Sequence, residues 1–177
     1  PEISIKTIIG DLYLHLGRNE EAVRAIQAVA GYYESRSYFS QALAIYKKIS
    51  KIDPENVIML VRLGDLLNSQ GFTAEARREY LKAEQTLRRE KRVKELIFLY
   101  DKLIKLEKDN IAYKLSLADL LQQEGFIEEA VVQLNDVAEI HLKKNELAEA
   151  EKIIEQARWI KGGDERTLTN MVEILKR

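Results

Sequence analysis

Apolar residues recur every three or four positions along most of the chain, and short polar turns interrupt them at intervals. This spacing is typical of amphipathic helices. The first segment shows it with Ile5, Ile8, Ile9, Leu12, Tyr13 and Leu16. The pattern predicts ten helices, near residues 3–16, 19–36, 38–52, 55–70, 73–90, 92–107, 110–124, 127–144, 146–161 and 164–176.

Residues that start or stop a helix stand at the predicted ends. Gly17 can adopt the left-handed conformation that commonly closes a helix, and Pro54 has no N–H with which to continue one. Asn19 and Asp164 are expected to cap the second and tenth helices with their side-chain oxygens.

The helices repeat in groups of three. The turn glycines Gly17, Gly71 and Gly125 are 54 residues apart (71 − 17 = 54 and 125 − 71 = 54). A fixed long period of helix pairs indicates a solenoid, so we predict an all-α fold of about ten antiparallel helices. We expect one domain, 1–177, with repeat units at 3–56, 57–110 and 111–164, a partial unit at 165–177, and origin as a fragment of a longer protein.

Three segments resemble the tetratricopeptide repeat (TPR), a helix–turn–helix unit of about 34 residues. The matching positions are Ile9, Gly10, Tyr13, Gly17, Ala22, Ile26 and Val29, then Leu63, Gly64, Leu67, Gly71, Ala76, Tyr80 and Ala83, then Leu117, Ala118, Leu121, Gly125, Ala130, Leu134 and Val137. The resemblance implies a right-handed solenoid that binds other proteins. We interpret the period of 54 as overlapping repeats of about 34 and 20 residues, in which a shared middle helix closes one unit and opens the next.

Composition narrows the function mainly by exclusion. With no cysteine in 177 residues, disulfides, thiolate metal sites and a cysteine nucleophile are excluded. The net charge of −1 gives no general attraction to nucleic acid or to an anionic membrane. No apolar run approaches the roughly 20 residues of a membrane span, so we expect a cytoplasmic protein without membrane insertion.

No group of residues indicates catalysis. The two histidines, His15 and His141, lie more than two repeats apart, and His141 aligns with Tyr33 and Leu87, which favours a place at the edge of the core. There is no glycine-rich phosphate loop and no nucleophile elbow. We therefore predict no enzymatic activity, no cofactor and no metal site.

Charged residues suggest two surfaces. Asp11, Asp65 and Asp119 occupy one helix position in the three repeats, where they could meet a basic peptide or be solvated polar residues. The segment Arg77–Lys94, here called the basic belt, has eight cations and three anions (8 − 3 = +5), while Asp109–Glu155 has four cations and eleven anions (4 − 11 = −7).

The simplest interpretation of the basic belt is a solvated helix face with intrahelical ion pairs. The alternatives are an acidic partner, contact between copies, or RNA or another polyanion bound by Arg88, Arg89 and Arg92. Nucleic acid is the weakest of these, because the belt lacks interleaved aromatic residues for stacking.

Comparison between the repeats singles out apolar residues at positions that are polar elsewhere. Tyr38 aligns with Arg92 and Glu146, Leu14 with Asn68 and Gln122, Trp159 with Lys51 and Lys105, and Phe98 with Ala44 and Lys152. Exposed apolar clusters often mark contacts, and tryptophan and tyrosine are favoured interface anchors. The alternatives are scattered surface residues or, for Trp159, packing against the terminal helix.

By the resemblance, the first helix of each unit lines a concave groove. This nominates Ser4, Thr7, Asp11 and Leu14, then Ile58, Val61, Asp65 and Asn68, then Ala112, Leu115, Asp119 and Gln122. Family members that grip a C-terminal carboxylate carry lysine and asparagine on this face, whereas Thr7, Val61 and Leu115 replace the lysine here. We therefore expect an apolar or amphipathic segment of a partner protein.

The sequence thus predicts a non-catalytic protein–protein interaction scaffold that binds a partner segment in its groove. The alternatives are RNA or polyanion binding by the basic belt, and a structural spacer or self-association segment. A homo-oligomer through the tenth helix, which carries Met171, Ile174 and Leu175, is a further expectation.

Overall fold

The computed structural model describes residues 2–176, and this part of the chain is all-α with ten helices. They are α1 Glu2–His15, α2 Asn19–Ser35, α3 Phe39–Ile52, α4 Val57–Ser69, α5 Thr73–Arg89, α6 Val93–Leu106, α7 Ile111–Gln123, α8 Ile127–Lys143, α9 Leu147–Ile160 and α10 Glu165–Leu175. The predicted helices are confirmed, and each predicted end lies within two residues of the observed one. None of the described helices has the length and apolar character that a membrane crossing requires.

The predicted interval recurs in the helix positions. Asn19, Thr73 and Ile127 begin α2, α5 and α8 and are 54 residues apart (73 − 19 = 54 and 127 − 73 = 54). The interpretation of this interval as overlapping repeats of 34 and 20 residues stays a prediction.

The chain divides into two compact units, Pro1–Lys91 and Arg92–Arg177. In the first unit, α1 packs against α2, α2 against α3, α3 against α4, and α4 against α5. In the second, α6 packs against α7, α7 against α8 and α8 against α9, while α10 packs against both α8 and α9. The division falls inside the predicted repeat unit 57–110, and the organisation as one domain of three repeats stays a prediction.

The helix crossings depend on small residues. Gly64 of α4 faces Tyr80 of α5 so closely that a Cβ atom at Gly64 would overlap the phenol ring. Ala76 is completely buried beside this crossing. Burial of Leu60, Leu63 and the other fully buried leucines stabilises the folded state, by about 1.5–3 kcal/mol for each side chain.

The loops use left-handed residues and capping side chains. Gly71, between α4 and α5, has a φ of 83°, as expected for a glycine that closes a helix. Three other turns instead place Ser37, Lys91 and Asn145 at positive φ, although none of these residues is a glycine.

The prediction for Asn19 is wrong. The cap of α2 is Arg18, and Asn19 is the first helical residue. The turn closes one residue early, because the amide of Arg18 donates to the carbonyl oxygen of Tyr13 at 2.9 Å. The prediction for Asp164 is confirmed, since its carboxylate accepts a hydrogen bond from the Thr167 amide at 2.9 Å. Sequence reasoning also missed Asn56, whose side chain caps α4 in the same way.

Candidate functional site

In the first unit, the nominated groove residues lie on α1 and α4. α4 buries Leu60, Leu63, Gly64 and Leu67 on one side. On the other side, Ile58 is 59% exposed, Asp65 and Asn68 are exposed, and Val61 is half-buried. α4 therefore presents an open face with an apolar end and a polar end.

On α1 the groove residues are less open. Thr7, Asp11 and Leu14 are half-buried, and Ser4 is exposed. The Thr7 hydroxyl donates to the carbonyl oxygen of Ile3 at 2.9 Å, within the same helix. The hydroxyl proton of Thr7 is therefore already used, and Thr7 can offer a partner only its oxygen as an acceptor.

In the second unit, the groove residues lie on α7. Ala112 and Asp119 are exposed, whereas Leu115 and Gln122 are half-buried. Leu115 also packs against the buried cluster formed by α7, α8 and α9, which includes Val131 and Ile154. Leu115 is therefore partly a core residue, and Ala112 and Asp119 are the accessible positions of this face.

The three aspartates at the repeated position have different partners. Asp11 forms an ion pair with Lys48 of α3. Asp65 accepts a hydrogen bond from the Tyr80 hydroxyl at 2.6 Å. The carboxylate of Asp119 forms no ion pair or hydrogen bond with any residue in the described part of the chain.

The reason lies in the repeat comparison. In the third repeat, Leu134 aligns with Tyr80, and Gln156 aligns with Lys48. The third repeat therefore has neither the tyrosine nor the lysine that contacts the aspartate in the other repeats. Asp119 is thus an exposed carboxylate among the nominated residues of α7.

Much of the basic belt is internally neutralised. In the first unit, Lys82 pairs with Glu79 at 2.8 Å, Arg88 with Glu84 at 2.6 Å, and Arg89 with Glu55 at 2.7 Å. In the second unit, Arg92 pairs with Glu95 at 2.6 Å. These contacts fit the simplest interpretation of the belt, a solvated face with local ion pairs.

The apolar residues singled out by repeat comparison are exposed, apart from half-buried Leu14. Tyr38 packs edge-on against Tyr33, with ring centroids 6.4 Å apart, and Lys102 lies 4.8 Å from the ring centroid of Phe98. Trp159 is 85% exposed. The alternative that Trp159 packs against the terminal helix is therefore wrong.

Sequence reasoning missed two surfaces of the first unit. The apolar positions that predict α1 are largely exposed, and Gly10 is the only fully buried residue of the described helix. An open cleft between the start of α1 and the end of α2 is lined by Gly31, Tyr32 and Tyr33 among others. Periodicity identifies an apolar face, but it does not identify what covers that face.

The two histidines lie in different units and differ in burial. His15 is exposed, and His141 is half-buried, with its Nδ1 atom 2.7 Å from a carboxylate oxygen of Glu146. Within residues 2–176, no three histidine or acidic residues lie close enough together to hold a metal ion.

Paired helices, small residues at their crossings and open first-helix faces define a helical-repeat protein. Residues 3–36, which contain α2 and nearly all of α1, match the family model "Tetratricopeptide repeat". This segment therefore resembles one repeat of the tetratricopeptide-repeat proteins. Proteins of this class are generally non-catalytic scaffolds for protein–protein interaction.

Similar folds occur among solved structures. The chain is similar to MamA, with 18% identity, a TM-score of 0.40, and coverage of 87% of this chain and 90% of that chain. It is similar to YrrB, described as a TPR protein with an unusual peptide-binding site, with 15% identity and a TM-score of 0.34. That match covers 84% of this chain and 91% of that chain. The chain is also similar to the nearly identical TPR-like repeats of a Podosopora anserina putative kinesin light chain. The identity is 16%, the TM-score is 0.47, and the match covers 98% of this chain and 93% of that chain. A search of curated proteins gave no match.

Proposed function

We propose that this protein is a non-catalytic scaffold that binds a segment of another protein through the groove faces of its first helices. The observation that carries the proposal is the open face of α4. Its opposite side is fully occupied by core packing, while Ile58 is left exposed next to polar Asp65 and Asn68. Such a face suits an amphipathic partner segment that places an aliphatic side chain on Ile58.

The face of α7 adds an electrostatic preference. Asp119 lacks the intramolecular partners that Asp11 and Asp65 have, so a lysine or arginine of the bound segment can pair with it without breaking an existing contact. Exposed pairs contribute about 0.2–1 kcal/mol. Asp119 therefore favours a basic residue at one point of the segment, and the apolar contacts supply most of the affinity.

The test is an affinity capture from the source cell with three proteins: wild type, an Ile58→Glu, Ala112→Glu variant, and a Val132→Glu control. Ile58 and Ala112 are exposed and aligned in the repeats, so these changes avoid the core that Leu115 helps to form. Val132 is also exposed, and arginine occupies its place at Arg24 and Arg78. A charge there should be tolerated.

A protein captured by wild type and by the control but lost by the groove variant is the expected result. Equal capture by all three proteins would place the binding surface elsewhere and overturn the groove assignment. Circular dichroism of each variant separates loss of binding from loss of folding.

Self-association through α10 is a second candidate, and one observation favours it. Leu168, Val172 and Leu175 are all exposed on this helix. Val172 aligns with Gly64 and Ala118, small residues that allow a neighbouring helix to approach closely. Because valine is larger, a helix that packs on α10 must lie farther from it than α5 lies from α4. Light scattering should show mass rising with protein concentration, and Val172→Glu should abolish the rise. A monomer at high concentration removes this candidate.

A further inference from the structure

In the second unit, α9 and α10 form a shallow cleft with an apolar floor and an acidic rim. Its lining residues are Glu151, Ile154, Glu155, Met171, Ile174 and Leu175. Ile154 is buried at the bottom, Met171 and Ile174 are half-buried, and Leu175 is 84% exposed. The cleft thus offers aliphatic surface to a side chain from outside.

The same place in the other repeats is closed and less acidic. The residues aligned with Leu175 are Leu67 and Leu121, which are 1% and 7% exposed. Glu151 aligns with the half-buried residues Leu43 and Ile97. The third repeat therefore has a carboxylate where the other two have aliphatic side chains, beside a leucine that nothing in the described chain covers.

The two rim carboxylates make no contact that stabilises the fold. The side chains of Glu151 and Glu155 form no ion pair or hydrogen bond within residues 2–176. Some other acids of this unit are engaged, since Glu128 pairs with Lys161 at 3.1 Å and Glu139 with Arg166 at 2.6 Å. The rim charges are therefore free to act on a partner.

Trp159 extends this surface along α9. It lies four residues after Glu155, one helical turn farther on the same side of the helix. A solvent-exposed tryptophan offers a large apolar area and an electron-rich face that attracts lysine or arginine. Lys51 and Lys105 occupy the aligned positions, so the third repeat alone combines two free acids with an aromatic residue here.

We propose that this surface, Glu151, Glu155 and Trp159 beside the α9–α10 cleft, docks a basic amphipathic helix of a partner protein. An aliphatic side chain of the helix lies on Met171, Ile174 and Leu175. Its lysine or arginine residues pair with the rim carboxylates, and one cation stacks on the Trp159 ring. The second unit, 92–177, has 14 cations and 17 anions (14 − 17 = −3), and this net negative charge adds a weak general attraction for such a segment.

This surface is separate from the groove faces of α4 and α7, and it does not depend on the function proposed for them. Trp159 is the only tryptophan of the chain, so its fluorescence reports directly on the site. The probe is a synthetic leucine–lysine peptide that forms an amphipathic helix, and its counterpart carries glutamate in place of lysine.

We expect the leucine–lysine peptide to shift the Trp159 emission to the blue in a saturable way that weakens with salt. Glu151→Lys, Glu155→Lys should raise the Kd at least about tenfold, because two attractive contacts become repulsive. The control variant Glu124→Lys, Glu149→Lys has the same change in charge at two other exposed acids without described partners. It should raise the Kd far less. The groove variant Ile58→Glu, Ala112→Glu should bind as wild type does.

Four results would overturn the proposal. Equal weakening by both charge variants would mean unspecific attraction, and equal binding of the glutamate peptide would exclude a basic ligand. Peptide binding by calorimetry without a change in Trp159 emission would place the contact elsewhere. A blue shift of the Trp159 emission that grows with protein concentration in the absence of peptide would show that a second copy of the protein covers the cleft.

Discussion

Tyr80 shows how single residues join packing to polarity in this repeat. Its ring fills the space that Gly64 leaves on α4, and its side chain is almost fully buried. Its hydroxyl donates to the carboxylate of Asp65 at 2.6 Å. The same aspartate that sequence comparison nominates for binding therefore also holds two helices together.

Two glycines should respond in opposite ways to the same substitution. Gly64→Ala places a methyl group against the Tyr80 ring, and such overpacking costs about 1–3 kcal/mol. Gly31→Ala, in the interior of α2 where no side chain or other helix lies within 4 Å of the new methyl group, should stabilise the helix by about 0.5–1 kcal/mol. Urea unfolding measures both, and a Gly64→Ala protein as stable as Gly31→Ala would contradict the tight crossing.

At alkaline pH, the free energy of unfolding should depend on the two buried phenols, Tyr46 and Tyr80. Burial, followed by the hydrogen bond to Glu34, raises the pKa of Tyr46 to about 12, and burial with Asp65 also raises the pKa of Tyr80. Unfolded tyrosine titrates near pH 10, so the unfolded chain loses these protons first. The contribution of Tyr46 to stability is complete below about pH 10 and is lost as the pH rises through about 12. The contribution of Tyr80 is also complete below about pH 10 and is lost as the pH rises further.

A Tyr46→Phe, Tyr80→Phe variant provides the comparison. It lacks both phenol protons, so its free energy of unfolding should fall less steeply than that of wild type between about pH 10 and 12. At neutral pH it should be less stable by about 0.5–1.5 kcal/mol for each lost hydrogen bond. Parallel pH curves for the two proteins would show that the phenols are not perturbed.

At the scale of elements, α10 differs from the other helices because polar residues hold it. Its two fully buried residues are Thr167 and Asn170. The side-chain amide of Asn135 on α8 donates to Thr167 at 3.0 Å, and that of Asn170 donates to Asn135 at 3.2 Å. Arg166 adds ion pairs to Asp136 at 2.8 Å and to Glu139 at 2.6 Å.

A buried lysine completes this contact. Lys114 of α7 lies 2.6 Å from the carboxylate of Asp136. Burial by itself would raise the pKa of Asp136, but hydrogen bonds and charge from Lys114 and Arg166 outweigh burial and hold the pKa below its usual value. Asp136 therefore stays charged and links α7, α8 and α10.

Asn135→Leu should loosen α10 selectively. The leucine has similar size but leaves the buried amide of Asn170 without its acceptor, at a cost of about 1–3 kcal/mol. Hydrogen exchange should speed up for the amides of α10 and stay unchanged for those of α2. Thr169→Ala, which removes only an exposed hydroxyl that bonds to its own helix, is the control. Wild-type protection of α10 in Asn135→Leu would mean that apolar contacts alone hold it.

At the scale of the whole molecule, each compact unit contains its own buried residues. The first buries Leu60, Leu63 and Tyr80, and the second buries Leu117, Val137 and Ile154. In repeat proteins, stability is close to a sum over repeats and their nearest neighbours. Either unit alone should then keep a folded core.

We expect fragments 1–91 and 92–177 to show helical circular dichroism and cooperative melting, each with a lower Tm than the full chain. A fragment ending at residue 72 lacks α5 and uncovers the packed side of α4, so it should melt without cooperativity. If fragment 1–91 behaves like this shorter control, the first unit does not fold independently.

Much of the fold could be predicted from the sequence, because its signals are local. A spacing of three to four residues indicates a helix within one or two turns of chain, and Gly71 or Pro54 ends it through its own backbone. Comparison between repeats also predicted exposure at Tyr38, Phe98 and Trp159 correctly, since aligned positions in a solenoid share an environment. The groove residues were nominated by the family resemblance, and their role in binding stays a proposal.

The tertiary structure decided what covers each face and which polar groups meet. Leu115 packs into the core beside exposed Ala112, Asp119 lacks the partners of Asp11 and Asp65, and Asn135 of α8 bonds to α10. These outcomes depend on residues about 15 to 40 positions apart. Amphipathic spacing shows that a side chain needs a neighbour, but only the packed helices determine which neighbour it finds, or whether it finds one.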